Sequence, residues 1–121
     1  MTPDRAFRLA VALTCICALA IAYGTLTPVE ALALDPPGSD KLHHFLAFGG
    51  LVFPLVLVRP RVALWLVPVA ALYGGAIELI QPHVGRHGEW ADALANTAGA
   101  VIGAGLAAAL HPALPRRWRV G

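Results

Sequence analysis

Four apolar runs, each long enough to cross a bilayer as a helix, constrain this chain more than any other feature of its sequence. They cover residues 9–27, 42–58, 62–80 and 91–110. At a rise of about 1.5 Å per residue, about 20 residues, or ~17 at the lower limit, cross the hydrocarbon core. Because lipid offers the backbone no hydrogen-bond partners, such runs fold as helices. The sequence therefore predicts one all-α membrane domain over residues 1–121, a four-helix transmembrane bundle.

The composition agrees with a membrane protein. Hydrophobic residues make up 58% of the chain and charged residues 13%, against about 45–50% and about 25% in soluble domains. The net charge of +2 does not indicate nucleic-acid binding, because the basic residues form short pairs beside the apolar runs and no basic stripe. The first run continues past the small residues at 18–20, so we interpret it as a span and not as a cleaved signal peptide. We expect no nucleic-acid partner.

The arginines predict the orientation of the bundle, because lysine and arginine in short loops stay on the cytoplasmic side. An N-terminus inside the cell places seven arginines on the cytoplasmic face: Arg5, Arg8, Arg59, Arg61, Arg116, Arg117 and Arg119. Only Lys41 and Arg86 then lie outside. The sequence predicts an N-in/C-in topology.

Polar residues enter the helices at the outer end of this predicted bundle. The candidate site residues are Asp40, Lys41 and His44 at the start of the second helix, Glu78 and Gln81 at the end of the third, Arg86 in the next loop, and Asp92 and Asn96 at the start of the fourth. An ionisable group in a span costs ~2.5 kcal/mol or more near the centre, so it needs a partner or a use. Glu78 has no charged neighbour in its own helix, and Lys41 or Arg86 could neutralise it. We expect a functional polar cluster here.

Several of these residues also have purely structural interpretations. Asp40 would cap the second helix, Asp92 would suit the dipole of the fourth, and Lys41 would reach the headgroups. Ala95, Gly99 and Gly103, at four-residue spacing, form a small-residue ridge that favours close helix packing or a homo-oligomer.

Histidines offer weak evidence for a metal. His83 and His87 lie four residues apart and would form a ligand set together with His44 and Asp92. Because histidines in a loop are weak evidence by themselves, the sequence predicts no bound metal and no cofactor.

The combined pattern resembles the VanZ-like membrane proteins. It consists of Asp-Lys-x-x-His-Phe from Asp40, Glu-x-x-Gln from Glu78, then Arg86, and Asp-x-x-x-Asn-x-x-Gly from Asp92, and the match extends to about Gly103. Gly88 and Glu89 depart from the pattern. The resemblance implies a small multi-pass protein of the bacterial inner (cytoplasmic) membrane, in a family named for a member linked to resistance to the glycopeptide teicoplanin. It implies no established reaction.

Three functions fit these observations. The first is binding of a polar or anionic lipid headgroup, or of a lipid-linked envelope precursor, at the outer face. Lys41 and Arg86 would then pair with phosphate, and the carboxylates and amides would supply hydrogen bonds. The second is an intramembrane enzyme acting on such a lipid, with His44, Glu78 or Asp92 as general acid or base. The third is a proton-coupled transporter that titrates Glu78.

Overall fold

Four long helices make up the computed structural model of the chain. They are α1 (Pro3–Leu26), α2 (Ser39–Val58), α3 (Ala63–Ile80) and α4 (Trp90–Leu110). The structure describes residues 1–27, 39–85 and 89–121, with only the backbone of residues 39 and 40, and no strand occurs in these ranges. All four helices are long and apolar enough to cross a membrane. The predicted all-α bundle of four transmembrane helices is confirmed, and the N-in/C-in orientation stays a prediction.

The first helix begins ahead of its apolar run. It starts at Pro3, before the predicted boundary at residue 9, because local residues cap it. The Thr2 hydroxyl oxygen accepts a hydrogen bond from the backbone N–H of Arg5 at 3.3 Å, and proline suits the first helical position. α1 therefore extends beyond the apolar segment that the hydrocarbon core needs.

The third helix ends close to the predicted boundary. A 3₁₀ turn, Gln81–Val84, continues α3 and leads into Gly85, which has φ 75°. This left-handed conformation favours glycine because it has no Cβ. Gly85 therefore ends the helical segment that begins with α3.

α2 and α4 form the central pair of the bundle and run in the same direction. Gly49 packs against Gly103 near the middle of the two helices. Near their ends, Nδ1 of His111 hydrogen-bonds the carbonyl oxygen of Leu57 at 2.7 Å. α3 packs on this pair in the opposite direction and α1 lies along α2. The two helices that begin at the site end are therefore in direct contact along most of their length.

Glycines allow the close approach of α2 and α4. A Cβ added to Gly99 would lie 2.1 Å from the carbonyl oxygen of Phe45, and one added to Gly103 would lie 2.7 Å from the Cα of Gly49. Helices meet this closely in membranes when small residues occupy the contact. Two residues of the predicted ridge, Gly99 and Gly103, thus pack against α2 of the same chain. The role of the ridge in a homo-oligomer stays a prediction.

The buried core is apolar and rich in small residues. It includes Phe48, Val52 and Val56 of α2, Ala70 and Ile77 of α3, and Ala100, Ala104 and Ala107 of α4. Large apolar side chains such as Leu19, Leu64 and Leu72 are more than 70% exposed. An outer surface of this kind suits a bundle surrounded by lipid.

Hydrogen bonds attach α1 and the C-terminal segment to the core helices. The hydroxyl of Thr14 donates to the carbonyl oxygen of Leu51 at 3.0 Å, and the hydroxyl of Tyr73 donates to that of Ala18 at 2.5 Å. At the end that carries both termini, the backbone N–H of residue 120 donates to the carbonyl oxygen of residue 58 at 3.0 Å. The starts of α2 and α4 lie at the opposite end, which carries the candidate site.

Candidate functional site

Five polar side chains are buried where the start of α2, the end of α3 and the start of α4 meet: His44, Glu78, Gln81, Asp92 and Asn96. Each of these residues is at most 8% exposed. A polar group in such surroundings costs free energy unless it has a hydrogen-bond partner. The contacts of each residue therefore decide what the site can do.

His44 and Asn96 form a buried pair between α2 and α4. Asn96 is fully buried, and its Oδ1 lies 2.8 Å from Nδ1 of His44. An amide oxygen only accepts hydrogen bonds, so this contact assigns the imidazole proton to Nδ1. The other ring nitrogen, Nε2, then faces the carboxylate of Asp92, 3.8 Å from its Oδ2.

Lys41 and Glu89 lie at the rim of this site. Nζ of Lys41 is 3.1 Å from Oε2 of Glu89 and 3.4 Å from Oδ1 of Asp92. The side chains of Lys41 and Glu89 are about half exposed, whereas that of Asp92 is 5% exposed. The ion pairs thus run from the aqueous rim to a buried carboxylate.

Glu78 closes the site from α3. Its Oε2 accepts a hydrogen bond at 3.0 Å from the backbone N–H of Glu89, at the start of α4. Its Oε1 is buried and has no hydrogen-bond partner among the described residues. Glu78, His44 and Asp92 each offer one atom that can bind a metal, and these three atoms lie within 4.8 Å of one another. We call these three residues, with Lys41, Glu89 and Asn96, the polar cluster.

Gln81 takes a different role. Its side-chain amide donates to the carbonyl oxygen of Thr25 at 3.0 Å, so it connects the end of α3 to α1. Its Oε1 is buried without a hydrogen-bond partner in the described part of the chain. Gln81 therefore fixes α1 beside the site.

Gly74 makes room for the polar cluster. It was not among the candidate residues predicted from the sequence. A Cβ at Gly74 would lie 2.8 Å from Nδ2 of Asn96 and 3.2 Å from the ring of Phe48. Glycine at this position lets α3 approach α4 at the depth of the amide. The sequence feature that could have indicated Gly74 is its spacing of four residues from Glu78, which places both on the same face of α3.

Gly74→Ala is expected to lower the free energy of unfolding by about 1–2 kcal/mol, because the added methyl group must displace a buried amide or a ring. The measurement is unfolding of the purified protein in mixed micelles with rising SDS. Gly75→Ala is the matched control, since a Cβ at Gly75 meets nothing within 4 Å. Equal stability of the two variants would contradict the packing described here.

Most of the predicted site residues come together in the structure: Lys41, His44, Glu78, Asp92 and Asn96. Arg86 and the side chain of Asp40 lie outside the described residues. Glu89 is a member that no sequence pattern marked, because it lies just before α4 and has no helical spacing to the other members. Glu78 accepts a hydrogen bond from the backbone N–H of Glu89, and its neutralisation by Lys41 or Arg86 stays a prediction.

The loop histidines give no site in the described residues. His83 is exposed in the 3₁₀ turn after α3, and His87 lies outside the described residues. The histidine that meets carboxylates is His44, within α2.

This architecture defines a class of protein: a multi-pass helical membrane protein with a buried polar cluster where three helix ends meet. The chain belongs to the VanZ/LLP1 family, whose model matches residues 14–111. The matched range covers the whole polar cluster. No curated protein and no solved structure matches the chain.

Proposed function

We propose that the polar cluster binds the polar headgroup of a membrane lipid or of a lipid-linked envelope precursor. The observation that carries this proposal is the pair of buried carboxylates where the three helix ends meet: Oε1 of Glu78 has no hydrogen-bond partner among the described residues, and Oδ1 of Asp92 has no hydrogen bond there beyond its ion pair with Nζ of Lys41 at 3.4 Å. Leaving such an atom unpaired costs about 1–3 kcal/mol. A headgroup that supplies the missing partners recovers this free energy.

The cluster is placed at the outer face of a bacterial inner membrane in this proposal. Seven arginines, all except Arg86, flank the spans at the other end of the bundle, with both termini. Since arginine-rich segments stay in the cytoplasm, the end with the polar cluster faces outward. Lipids of the outer leaflet and precursors exported across the membrane then reach it.

The charge of the cluster favours headgroups that donate hydrogen bonds. Its described members include three carboxylates, Glu78, Glu89 and Asp92, and one lysine, Lys41. A hydroxyl or ammonium group meets such an acid-rich site better than a bare phosphate does. Sugar hydroxyls and amines are therefore the expected contacts, with Lys41 available to an adjoining phosphate.

A groove between α2 and α4 suits the hydrocarbon part of the same lipid. It has a volume of about 200 Å³ and its lining includes Phe45, Gly49, Phe53, Gly103 and Leu106. On α2 the groove begins at Phe45, next to His44 in the sequence. A lipid whose headgroup occupies the polar cluster would have its chain within reach of this groove, and filling it buries apolar surface of both partners.

Lipid retention tests this proposal. The full chain, extracted in mild detergent and analysed by native mass spectrometry, is expected to retain one lipid class in excess of its share of the membrane. Asp92→Asn and Glu78→Gln should each reduce that retention about 10-fold or more, because each removes a charged hydrogen-bond acceptor worth about 1.5–3 kcal/mol.

Asp4→Asn is the matched control, because Asp4 is an exposed carboxylate at the opposite end of the bundle. It should retain lipid as the wild type does. Retention of bulk lipid only, or equal retention in Asp92→Asn and Asp4→Asn, would contradict headgroup binding by the cluster.

A reaction on the bound lipid is the second candidate function. The observation that favours it is the oriented imidazole, with Nδ1 held by Asn96 and Nε2 directed toward Asp92 and the site. Such a ring can act as a general acid or base. Mass spectrometry of lipid extracts incubated with wild type or His44→Gln tests it. A product that forms only with wild type is expected, and identical extracts would exclude this activity for those lipids.

A further inference from the structure

We propose that His44, Glu78 and Asp92 bind a divalent transition-metal ion. Each residue offers one ligand atom, the imidazole nitrogen or a carboxylate oxygen, and the three atoms lie within 4.8 Å of one another. All three residues are buried and they come from three different helices. The proposal does not depend on lipid binding.

The geometry needs only a small contraction to hold an ion. Ligands about 2.1 Å from a metal in tetrahedral or octahedral geometry lie roughly 3–3.5 Å from one another. Nε2 of His44 and Oδ2 of Asp92 are already 3.8 Å apart. The ligand atom of Glu78 lies within 4.8 Å of the other two, at most about 1.3 Å beyond the spacing that coordination requires.

The orientation of His44 presents a lone pair to this centre. Oδ1 of Asn96 accepts a hydrogen bond from the Nδ1–H of His44, with 2.8 Å between the two heavy atoms, so the lone pair on Nε2 can coordinate a metal. With the proton on Nδ1, the lone pair of Nε2 faces the carboxylate of Asp92, and either a second proton or a metal ion between the two atoms removes their repulsion. Metal-bound histidines are commonly held in this way, with the other ring nitrogen donating to an oxygen.

The charges at the site also call for a cation. Oε1 of Glu78 and Oδ1 of Asp92 are buried without hydrogen-bond partners among the described residues. Nζ of Lys41 lies 3.4 Å from Oδ1 of Asp92, and it also pairs with Glu89 at 3.1 Å. A divalent ion would balance the two buried carboxylates, and Lys41 would keep its rim contact with Glu89.

The ligand set indicates the class of metal. One imidazole with two carboxylates suits Mn²⁺, Fe²⁺ or Zn²⁺ better than Mg²⁺, which prefers oxygen ligands and water. Three protein ligands leave at least one coordination position for water or a substrate oxygen. The half-exposed rim at Lys41 and Glu89 provides the route of entry from the aqueous phase.

The test is metal binding to the untagged full chain in detergent, stripped with a chelator and titrated with Zn²⁺ or Mn²⁺ by calorimetry. Elemental analysis gives the stoichiometry, and the absorption spectrum of bound Co²⁺ reports the coordination. About one ion per chain is expected. His44→Gln, Glu78→Gln and Asp92→Asn should each weaken binding at least ~10-fold, and Asn96→Ala should weaken it about 10–100-fold by releasing the ring.

The double variant His83→Gln/His87→Gln is the matched control, because it removes two histidines that lie between α3 and α4 in the sequence and leaves the proposed ligands intact. It should bind metal as the wild type does. Circular dichroism and elution as a single species establish that each variant is folded. Binding that survives in a folded His44→Gln variant, or that disappears in the loop variant, would overturn the proposal, as would a wild type that binds no ion.

The lipid and metal proposals can fail separately. Selective lipid retention that is unchanged by EDTA, with no metal bound, would leave headgroup binding intact and refute the metal site. Stoichiometric metal binding with bulk lipid only would support the metal site and refute headgroup binding.

Discussion

Gly99→Ala is expected to lower the free energy of unfolding by about 3 kcal/mol or more. The added methyl carbon would lie 2.1 Å from the carbonyl oxygen of Phe45, and backbone atoms of that residue surround it at 2.9 Å. Backbone atoms cannot relieve the clash by changing rotamer, as a flexible side chain can. The helices α2 and α4 must therefore separate. Separation loosens the packing of Gly49 and Gly103 one turn further along.

Unfolding in mixed micelles with rising SDS measures this effect, with helix content as the signal. Gly105→Ala, on the same helix, is the matched control, because a Cβ at Gly105 meets nothing within 4 Å. Alanine also has the higher helix propensity by about 1 kcal/mol in water, so the control should be as stable as the wild type or more stable. A Gly99→Ala protein as stable as its control would show that the two helices do not meet as described.

Asn96→Leu is expected to have the second large effect, a loss of about 2 kcal/mol in the free energy of unfolding. Leucine has the same branched shape as asparagine, with methyl groups in place of the amide oxygen and nitrogen, and accepts no hydrogen bond. The Nδ1–H of His44 is then buried without a partner, at a cost of about 1–3 kcal/mol. Asn96 is fully buried between His44 and Gly74, away from bulk water.

Nitrogen NMR of histidine-labelled protein provides a readout that packing alone would not change. The wild type should show His44 with its proton on Nδ1, and Asn96→Leu should lose this preference. Asn96→Asp keeps an acceptor oxygen facing Nδ1 and should restore the tautomer. Thr97→Val controls for substitution at this depth, because the Thr97 hydroxyl donates to Ala93 within its own helix. An unchanged tautomer in Asn96→Leu would contradict the His44–Asn96 hydrogen bond.

The four-helix bundle could be predicted because the structure of each span follows from its own residues. A run such as residues 62–80 has one stable conformation in hydrocarbon, since only a helix satisfies its backbone from within. The sequence also predicted that four polar residues lie close together: Lys41, His44, Glu78 and Asn96. Alternating spans return to the same membrane face, so polar residues at the start of α2, the end of α3 and the start of α4 must share one end of the bundle.

The individual partners could not be predicted, because they depend on how far each helix is rotated and how closely it packs. Gln81 lies three residues from Glu78 on the same face of α3, yet its amide binds Thr25 of α1. Glu89 contacts the site through its backbone N–H and its carboxylate, and its position just before α4 allows both contacts. Gly74 matters only because Asn96 lies against it.

The sequence by itself determined the class of fold and the end of the bundle that holds the polar residues, because hydrophobic length and the alternation of spans are properties of the chain alone. Tertiary structure alone decided that His44, Glu78 and Asp92 meet within 4.8 Å. Coordination and proton sharing require distances set within about 1 Å, and the close contact of α2 with α4 through Gly99 and Gly103 sets them here.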